Sequence, residues 1–547
     1  MRLRKITGSI ILNVVSGPSA VLFSIDMDEN KINGLLGFYI SKTNLKTGAA
    51  YDVQSTKHFP KSAKSADGRY STKYHPWQSF LWEDFYISEG GRYEYSFVPV
   101  YGQPDALDYG TPCIIEISIP SRTKGENEVY FNRGVAGSQA YAREFKNMRP
   151  DQMSDAMKKK ALKWLSKGLK EALLNFISRA KNEDWQLRCC FYEFIYPEVL
   201  EALKIADSKG ADVKIIYDAR HEAAKNMDAI TKAKLDTSIL IPRTEDPKFL
   251  QHNKYMILLK DNEVVAVWTG STNITEKAIF GHCNVGHIIK NKEIGNKYLK
   301  HWTGLAKDPQ LKEARQNSIA IQPDVNSLEQ GMMVFFSPRP KGDVLKLYSE
   351  LINKSKQLVC GMFPFSFSKL IKAEITAETE NLKYIIIDKK DKNTTLETND
   401  LDNVIVYGGK LEGPLYDWAK EKSSGELFYS GTNYIHNKVI LIDPLGEQPI
   451  VITGSANFSD NSVLRNDENT LVIKGNKEVT DHYFTEFARI FNHYSARQDI
   501  IKMKPKNDTT GYNPSELRIN STEWTLPFFK KTARKYKRRL MFSKMEV

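Results

Sequence analysis

One stretch of this sequence occurs twice, and the second copy follows the first by 184 residues at every matched position. The first copy begins at His252-Asn253-Lys254 and ends at Gly270-Ser271-Thr272-Asn273. The second begins at His436-Asn437-Lys438 and ends at Gly454-Ser455-Ala456-Asn457. A repeat of this length is too long for a solenoid unit, so it predicts the duplication of half a domain.

Each copy predicts a pair of buried strands with polar groups at their ends. A short apolar run follows the lysine, and side chains at positions i and i+2 of a strand share one face. The motif therefore places an imidazole beside an ammonium group. The second run ends in Gly-Ser-x-Asn, whose small residues let an anion approach the backbone closely. Two such phosphate sites facing each other would supply one histidine to attack phosphorus and one to protonate the leaving oxygen.

These motifs resemble the signature of the phospholipase D superfamily, His-x-Lys-x4-Asp followed by Gly-Ser-x-Asn. The second copy contains the whole signature, with Asp443 as its acid. In the first copy, Leu259 occupies the equivalent position, and the nearest acid, Asp261, comes two residues late. The resemblance therefore implies that the first copy has lost part of its supporting set.

The residues downstream of the two turns also differ. Asn466 and Glu468 of the second copy correspond to His282 and Asn284 of the first. The superfamily often has an acid near the position of Glu468. The reactive residues of the first copy are nevertheless complete.

The resemblance implies that one histidine forms a phosphohistidine, while the other acts as a general acid and then as a base for water. The residues implied as catalytic are His252, Lys254, Asn273, His436, Lys438 and Asn457, with Ser271, Ser455, Asp443 and Glu468 in support. The lysines and amides would hold the non-bridging oxygens, so neither a cofactor nor an obligatory metal is expected. By analogy His252 is the expected nucleophile and His436 the expected acid, but the degenerate first copy could reverse these roles.

Length, charge and cysteine usage narrow the class of protein. At 547 residues the chain can hold about three domains. The net charge of +12 favours anionic partners, although solvated lysines alone would also produce it. Five cysteines without metal-ligand spacing are typical of a reducing cytosol. No apolar run approaches a membrane span, and residues 1–25 resemble strands more than a signal peptide, so we expect a cytoplasmic protein.

The predicted fold class is α/β, with two pseudo-symmetric phospholipase D-like lobes preceded by a small all-β domain. Strand patterns separated by Gly, Pro and Asn turns predict an all-β domain at residues 1–120, similar to fibronectin type III. Alternating helices and strands predict a first lobe at 128–325 and a second at 326–500. Residues 501–547 form a basic, aromatic extension, expected either as a helix docked by its aromatic side or as a nucleic-acid-binding arm.

Two patterns within the lobes lead to more specific expectations. Apolar residues at helical spacing predict a helix over residues 151–181. The loops that follow the first strand of each lobe carry aromatic residues. At the rim of the site these rings would stack on bases, or they would pack against the partner lobe. They are Phe194 and Tyr196 in the first lobe and Phe363 and Phe365 in the second.

Three functions remain open from the sequence. The first is a metal-independent hydrolase that cleaves DNA or RNA, which the positive charge, the basic C-terminal segment and the rim aromatics favour. The second is a phospholipase D that acts on phosphodiester lipids by the same chemistry. The third is an inactive nucleic-acid-binding protein, favoured only by the missing acid at Leu259. The two histidines would meet within one molecule or across a homodimer.

Overall fold

The structure is a computed structural model that describes residues 1–63, 65–122, 125–134, 138–326, 328–390, 392–398, 400–408, 435–502 and 515–547. Part of the predicted C-terminal extension, residues 503–514, lies outside the described residues. The strands are β1 (Arg2–Thr7), β2 (Ile10–Ser16), β3 (Val21–Met27), β4 (Gly37–Asn44), β5 (Ala50–Asp52), β6 (Gln54–Ser55), β7 (Tyr70–Ser71), β8 (Leu81–Asp84), β9 (Arg92–Gln103), β10 (Ala106–Tyr109), β11 (Cys113–Ser118), β12 (Asn127–Phe131), β13 (Trp185–Phe191), β14 (Asp212–Asp218), β15 (Leu240–Arg243), β16 (Lys254–Lys260), β17 (Glu263–Gly270), β18 (Val285–Ile289), β19 (Gly331–Ser337), β20 (Leu358–Phe363), β21 (Leu382–Ile387), β22 (Asn403–Tyr407), β23 (Val439–Ile442), β24 (Ile450–Gly454) and β25 (Glu468–Lys474). The α-helices are α1 (Gln139–Phe145), α2 (Asp155–Ser166), α3 (Leu169–Ser178), α4 (Pro197–Ser208), α5 (Ala223–Ala233), α6 (Lys292–Leu305), α7 (Leu311–Ile321), α8 (Asp343–Asn353), α9 (Lys369–Thr376), α10 (Asp460–Leu464), α11 (Lys477–Lys502), α12 (Ser521–Phe529) and α13 (Arg534–Leu540).

The N-terminal region is all β and forms a sandwich of two antiparallel sheets. One sheet has the strand order β1-β2-β3-β8, and the other has β10-β9-β4-β5 with β11 also paired to β9. Alternate side chains of both sheets fill one apolar core, which contains Phe23, Phe38 and Phe97. The strand prediction for the first 25 residues is confirmed by β1 to β3. The likeness to fibronectin type III stays a prediction.

Two seven-stranded sheets form the centres of the two lobes, and their topologies match strand for strand. The first has the order β12-β18-β17-β16-β13-β14-β15, and the second has β19-β25-β24-β23-β20-β21-β22. In each sheet the last three strands run parallel to one another, whereas the other neighbours are antiparallel. The repeat in the sequence is therefore the duplication of a complete α/β lobe, and the predicted fold class is confirmed.

The two lobes share one apolar core, to which helices α6 and α11 contribute. The ring of Tyr298 on α6 lies 5.1 Å from Tyr255 in its own lobe and 5.0 Å from Phe336 in the other lobe. Tyr483 on α11 belongs to the same core. Because dense packing resists displacement, this core holds the two motif-bearing sheets at a defined separation.

The prediction of one helix over residues 151–181 is wrong, because the segment forms two helices, α2 and α3. The break lies at Lys167 and Gly168, whose φ angles of 51° and 95° are left-handed and cannot continue a right-handed helix. The glycine tolerates this conformation because it lacks a Cβ. The turn directs Lys167 to Glu486 of α11, with which it forms an ion pair.

The C-terminal helices dock against the rest of the chain. Trp524 and Phe528 of α12 complete the apolar core of the N-terminal sandwich, and the indole N–H of Trp524 donates to the carbonyl of Leu35 at 2.8 Å. On α13, Arg539 is buried and pairs with Asp26. In the described residues of this extension, α12 docks by its aromatic side, as in the docked-helix alternative. In contrast to that alternative, the basic residue Arg539 of α13 also takes part in the contact.

Asp443, the acid of the second motif, lies at the far end of β23 from the histidine and the lysine. Its carboxylate accepts hydrogen bonds from the backbone N–H groups of Lys356, Gln357 and Leu358 at 2.8, 2.7 and 3.1 Å. These bonds hold the start of β20 against the end of β23. Asp443 therefore supports the lobe and does not reach the reactive groups.

Replacing Asp443 by alanine should lower the free energy of unfolding by roughly 1–3 kcal/mol, because three backbone donors lose their acceptor. Asp261→Ala is the matched control, since Asp261 has a similar φ of 51°, against 45° at Asp443, and an exposed side chain. Denaturant unfolding of the two variants measures the difference. Equal destabilisation by both substitutions would show that the hydrogen bonds of Asp443 contribute little.

Candidate active site

The two motifs converge on one cavity within a single chain. The cavity has a volume of about 890 Å³, and its lining includes His252 and Asn273 from the first lobe together with His436 and Asn457 from the second. The matching sheets meet so that the N-terminal ends of β16 and β23 face the same space. One ligand in this cavity can therefore contact both imidazoles.

Each motif is held in place by the backbone of the other lobe. The N–H of His252 donates to the carbonyl of Asp467 at 2.9 Å, and the N–H of His436 donates to the carbonyl of Cys283 at 3.1 Å. Asp467 and Cys283 occupy equivalent positions in the repeat, 184 residues apart. The two bonds are thus related by the pseudo-symmetry of the lobes, and each histidine is positioned across the interface.

The residue after each of these carbonyls supports the imidazole of the other lobe. Oε2 of Glu468 lies 3.2 Å from Nδ1 of His252, within ion-pair range but without hydrogen-bond alignment. Oδ1 of Asn284 lies 2.9 Å from Nδ1 of His436. One histidine therefore has a carboxylate partner and the other an amide. The repeat alone does not reveal this exchange of partners between lobes.

Both motif lysines are buried and turn back towards their own histidines. Nζ of Lys254 donates to the carbonyl of His252 at 2.5 Å, and Nζ of Lys438 donates to the carbonyl of His436 at 2.7 Å. Burial lowers the pKa of Lys254 to about 7, and the charges of Glu468 and Glu193 oppose this shift. Burial and the charge of Lys254 hold the pKa of Lys438 well below its usual range.

The same environment disfavours protonation of the imidazoles. Burial, followed by the charge of Lys254, lowers the pKa of His252 to about 4, whereas Glu468 raises it. Burial and the charge of Lys438 hold the pKa of His436 well below its usual range. Both rings are therefore neutral near pH 7. A bound anion would raise both pKa values, because a negative charge stabilises the protonated forms.

The Gly-Ser pairs of the two turns fasten β17 to β18 and β24 to β25. Oγ of Ser271 donates to Oδ1 of Asn284 at 2.7 Å, and Oγ of Ser455 accepts from the N–H of Asn469 at 3.0 Å. The strands approach closely here: a Cβ on Gly270 or Gly454 would collide with a carbonyl oxygen of the neighbouring strand. The serines thus fix the start of β18, next to Asn284, and the start of β25, which contains Glu468, and act on the histidines through these two residues.

Glu193 is a buried carboxylate in the site that the motifs did not indicate. Its side chain accepts a hydrogen bond from Nδ2 of Asn273 and lies 3.6 Å from Nζ of Lys277. It also lines the cavity. The only signal for it in the sequence is its place in the loop after β13, next to the expected rim aromatic Phe194.

The rim prediction is wrong for Phe194 and Phe363, which are fully buried in the cores of their lobes, each stacked on a nearby phenylalanine. Tyr196 is also mostly buried, and its hydroxyl donates to Glu198 at 2.7 Å. Only Phe365 of these four lines the cavity that contains the two motif histidines. This residue is 43% exposed, and the centre of its ring lies 6.3 Å from that of His436. Phe194 and Tyr196 pack into the core of the first lobe, and Phe363, the last residue of β20, packs into that of the second.

The lining of the cavity is mainly basic. Apart from the histidines, its lining contains five basic side chains, Lys225, Lys248, Lys277, Arg315 and Arg465, and two acidic ones, Glu193 and Glu222. This excess of cations suits an anionic ligand. Within the part of the chain that the structure describes, no cluster of three or more His, Cys, Asp or Glu side chains is arranged to hold a metal ion. In the same residues, none of the helices is both long and apolar enough to cross a membrane.

Comparison with known proteins identifies related domains in both lobes. A family model described as "Cardiolipin synthase, PLD-like domain" matches residues 173–305 and 348–491, slightly more than half of the chain. No curated protein sequence matches significantly.

Similar solved structures include phosphatidylserine synthase from Haemophilus influenzae Rd KW20, with a TM-score of 0.42 and 14% identity over 62% of this chain and 90% of that one. Yeast tyrosyl-DNA phosphodiesterase has a TM-score of 0.32 and 13% identity over 56% of this chain and 88% of that one. Nuc from Salmonella typhimurium, a phospholipase D family member, has a TM-score of 0.21 and 29% identity over 24% of this chain and 84% of that one.

Single substitutions of Glu468 and Asn284 should shift the pKa values of the two histidines in opposite directions. Glu468→Gln removes the negative charge beside His252 and should lower the pKa of that ring further, whereas Asn284→Asp adds a charge beside His436 and should raise its pKa. Titration of 13C-labelled histidine rings by NMR measures both. Unchanged pKa values in both variants would mean that these side chains do not set the ionisation of the imidazoles.

Proposed function

This chain belongs to the phospholipase D superfamily, and we propose that it is a phosphodiesterase that cleaves nucleic acid through a phosphohistidine, without an obligatory metal. The convergence of His252 and His436, each beside a buried lysine, on one basic cavity carries this proposal. Two imidazoles on opposite sides of one phosphorus atom divide the displacement into two steps, each with its own acid or base.

The proposed nucleophile is His252. Its Nδ1 faces the carboxylate of Glu468, so Nε2 is the nitrogen available for attack, and the carboxylate stabilises the positive charge that develops on the ring. Attack forms the P–N bond and breaks the P–O bond to the leaving group, which takes a proton from His436.

The proposed general acid and base is His436. The neutral amide of Asn284 orients its ring without a countercharge, so the imidazolium releases its proton more readily than His252 would. In the first step the proton is proposed to lie on His436, and the charge of the bound diester stabilises this protonated form. In the second step water gives a proton to His436 and attacks phosphorus, which breaks the P–N bond.

Lys254, Lys438, Asn273 and Asn457 are proposed to hold the non-bridging oxygens. The two ammonium groups are buried, so they act on the transferring phosphoryl group with little screening by water. Their depressed pKa values rise when the anion binds, because each cation then has a partner. This arrangement supplies the electrostatic stabilisation that a metal ion gives in other phosphodiesterases.

The basic lining and the exposed ring of Phe365 support a nucleic-acid substrate, because phosphate groups attract the cations and a base can stack on the ring. A phospholipid is the second candidate, supported by the apolar side chains Phe249, Leu250 and Leu311 in the same lining. The complete pair of reactive motifs argues against an inactive binding protein.

Purified protein should cleave plasmid DNA, single-stranded DNA or RNA in the presence of EDTA. His252→Ala and His436→Ala should each lower the rate by about 10³-fold or more, whereas His58→Ala in the N-terminal sandwich should leave it unchanged. Activity that EDTA abolishes and these substitutions spare would overturn the mechanism. Release of headgroups from phospholipid vesicles without nuclease activity would assign the lipid function instead.

Affinity for nucleic acid should fall steeply with salt, because the cations of the cavity displace counterions from phosphates. Lys248→Ala and Arg465→Ala should each weaken binding and reduce the salt slope by about one. Lys354→Ala is the control, since this lysine is also exposed but lies outside the cavity and is paired with Glu350. Fluorescence anisotropy at several salt concentrations gives the slopes, and slopes identical in all variants would exclude the cavity as the contact surface.

A further inference from the structure

His282 is a third histidine of the catalytic cavity, and the mechanism above does not use it. Its residue is only 4% exposed, it lines the cavity, and the centre of its ring lies 5.2 Å from that of His436. Neither ring nitrogen has a hydrogen-bond partner among the described residues. A buried polar group without a partner costs folding free energy, so its presence beside the reactive groups points to a ligand.

The pseudo-symmetric residue in the other lobe shows what this position does when its role is structural. Asn466 donates from Nδ2 to Glu468 at 2.9 Å and accepts at Oδ1 from the N–H of Leu250 at 3.1 Å. Its amide is therefore used within the protein. His282 makes no such bonds in the described residues, so the two copies have diverged at this position.

His282 is a neutral hydrogen-bonding group. Burial, followed by the charges of Lys277 and Lys438, lowers its pKa to about 3. A neutral imidazole offers one donor and one acceptor. These suit a hydroxyl, a sugar oxygen or a base edge, whereas the non-bridging phosphate oxygens are proposed to bind the two motif lysines.

His282 and Phe365 lie beside His436, the residue proposed to protonate the leaving oxygen. The centre of the Phe365 ring lies 6.3 Å from that of the His436 ring, and the two rings are perpendicular. Phe365 is exposed and lines the cavity. An alcohol that leaves phosphorus with a proton from His436 would therefore lie near a neutral hydrogen-bonding ring and an apolar ring.

We propose that His282 and Phe365 form the leaving-group subsite, in which His282 hydrogen-bonds a nucleoside and Phe365 stacks on its base. This inference rests on the proposed function, since it depends on His436 acting on the leaving oxygen. It makes His282 a substrate-contacting residue that selects the leaving group. The opposite wall, with Tyr192 against the ring of His252 at 5.0 Å, would then face the part of the substrate that stays on phosphorus.

The test compares two oligonucleotide substrates that differ only in the leaving group: one releases a nucleoside, and the other carries a methyl ester at the same diester and releases methanol. Both alcohols need a proton from His436, but only the nucleoside can contact the subsite. His282→Ala should lower kcat/KM by about 10-fold on the first substrate and less than about 2-fold on the second. Phe365→Leu should show the same selectivity.

The controls distinguish a failure of the proposed subsite from a failure of the proposed function. His282→Asn, which restores the residue type of the other lobe, should recover part of the loss through its amide. Phe249→Leu changes a ring of the same cavity that packs against Arg465 and should not discriminate between the substrates. Equal losses on both substrates in His282→Ala would overturn the subsite. An inactive wild-type protein, or an active His252→Ala, would overturn the proposed function.

Discussion

The geometry of this protein depends on a reciprocal exchange of support between its two lobes. The backbone of His252 is bound by the carbonyl of Asp467, and that of His436 by the carbonyl of Cys283. The next residue in each case, Glu468 or Asn284, reaches the same histidine at Nδ1. Each histidine therefore depends on the other lobe for one backbone partner and one side-chain partner. The shared apolar core maintains this contact.

Burial of the lysines and histidines of the site disfavours their charged forms, and this prepares the cavity for an anion. Two ammonium groups and two imidazoles lie in one desolvated region, where the charges oppose one another and burial disfavours each charged form. The carboxylates of Glu468 and Glu193 offset part of this cost, because their charges oppose the lowering of the pKa of Lys254 by burial. The remaining deficit of negative charge is what a phosphodiester can supply. The cavity is thus preorganised for an anion before one binds.

The duplication has also been used asymmetrically. At equivalent positions, the carboxylate of Glu468 lies beside His252 and the amide of Asn284 lies beside His436. The carboxylate therefore favours positive charge on His252 over His436. Two residues earlier in each lobe, the side-chain amide of Asn466 has hydrogen-bond partners within the protein, whereas in the described residues the ring nitrogens of His282 have none. Two similar lobes can thereby supply different roles, since the difference lies in the partners of the imidazoles and not in the imidazoles themselves.

The repeated motifs, together with the alternation of helices and strands, predicted the two-lobe fold and the residue types at the site, because periodicity and spacing are local properties of the sequence. Only tertiary packing decided that Glu468 and Asn284 support the histidines of the opposite lobes. It also decided that Asp443 has a structural role and that Glu193 and His282 line the cavity. Sequence spacing says which side chains share a strand face, but not which face of another lobe lies opposite. Phe194 and Phe363 show the same limit, since an aromatic residue at the end of a strand enters the core or the site according to the direction in which the chain turns next.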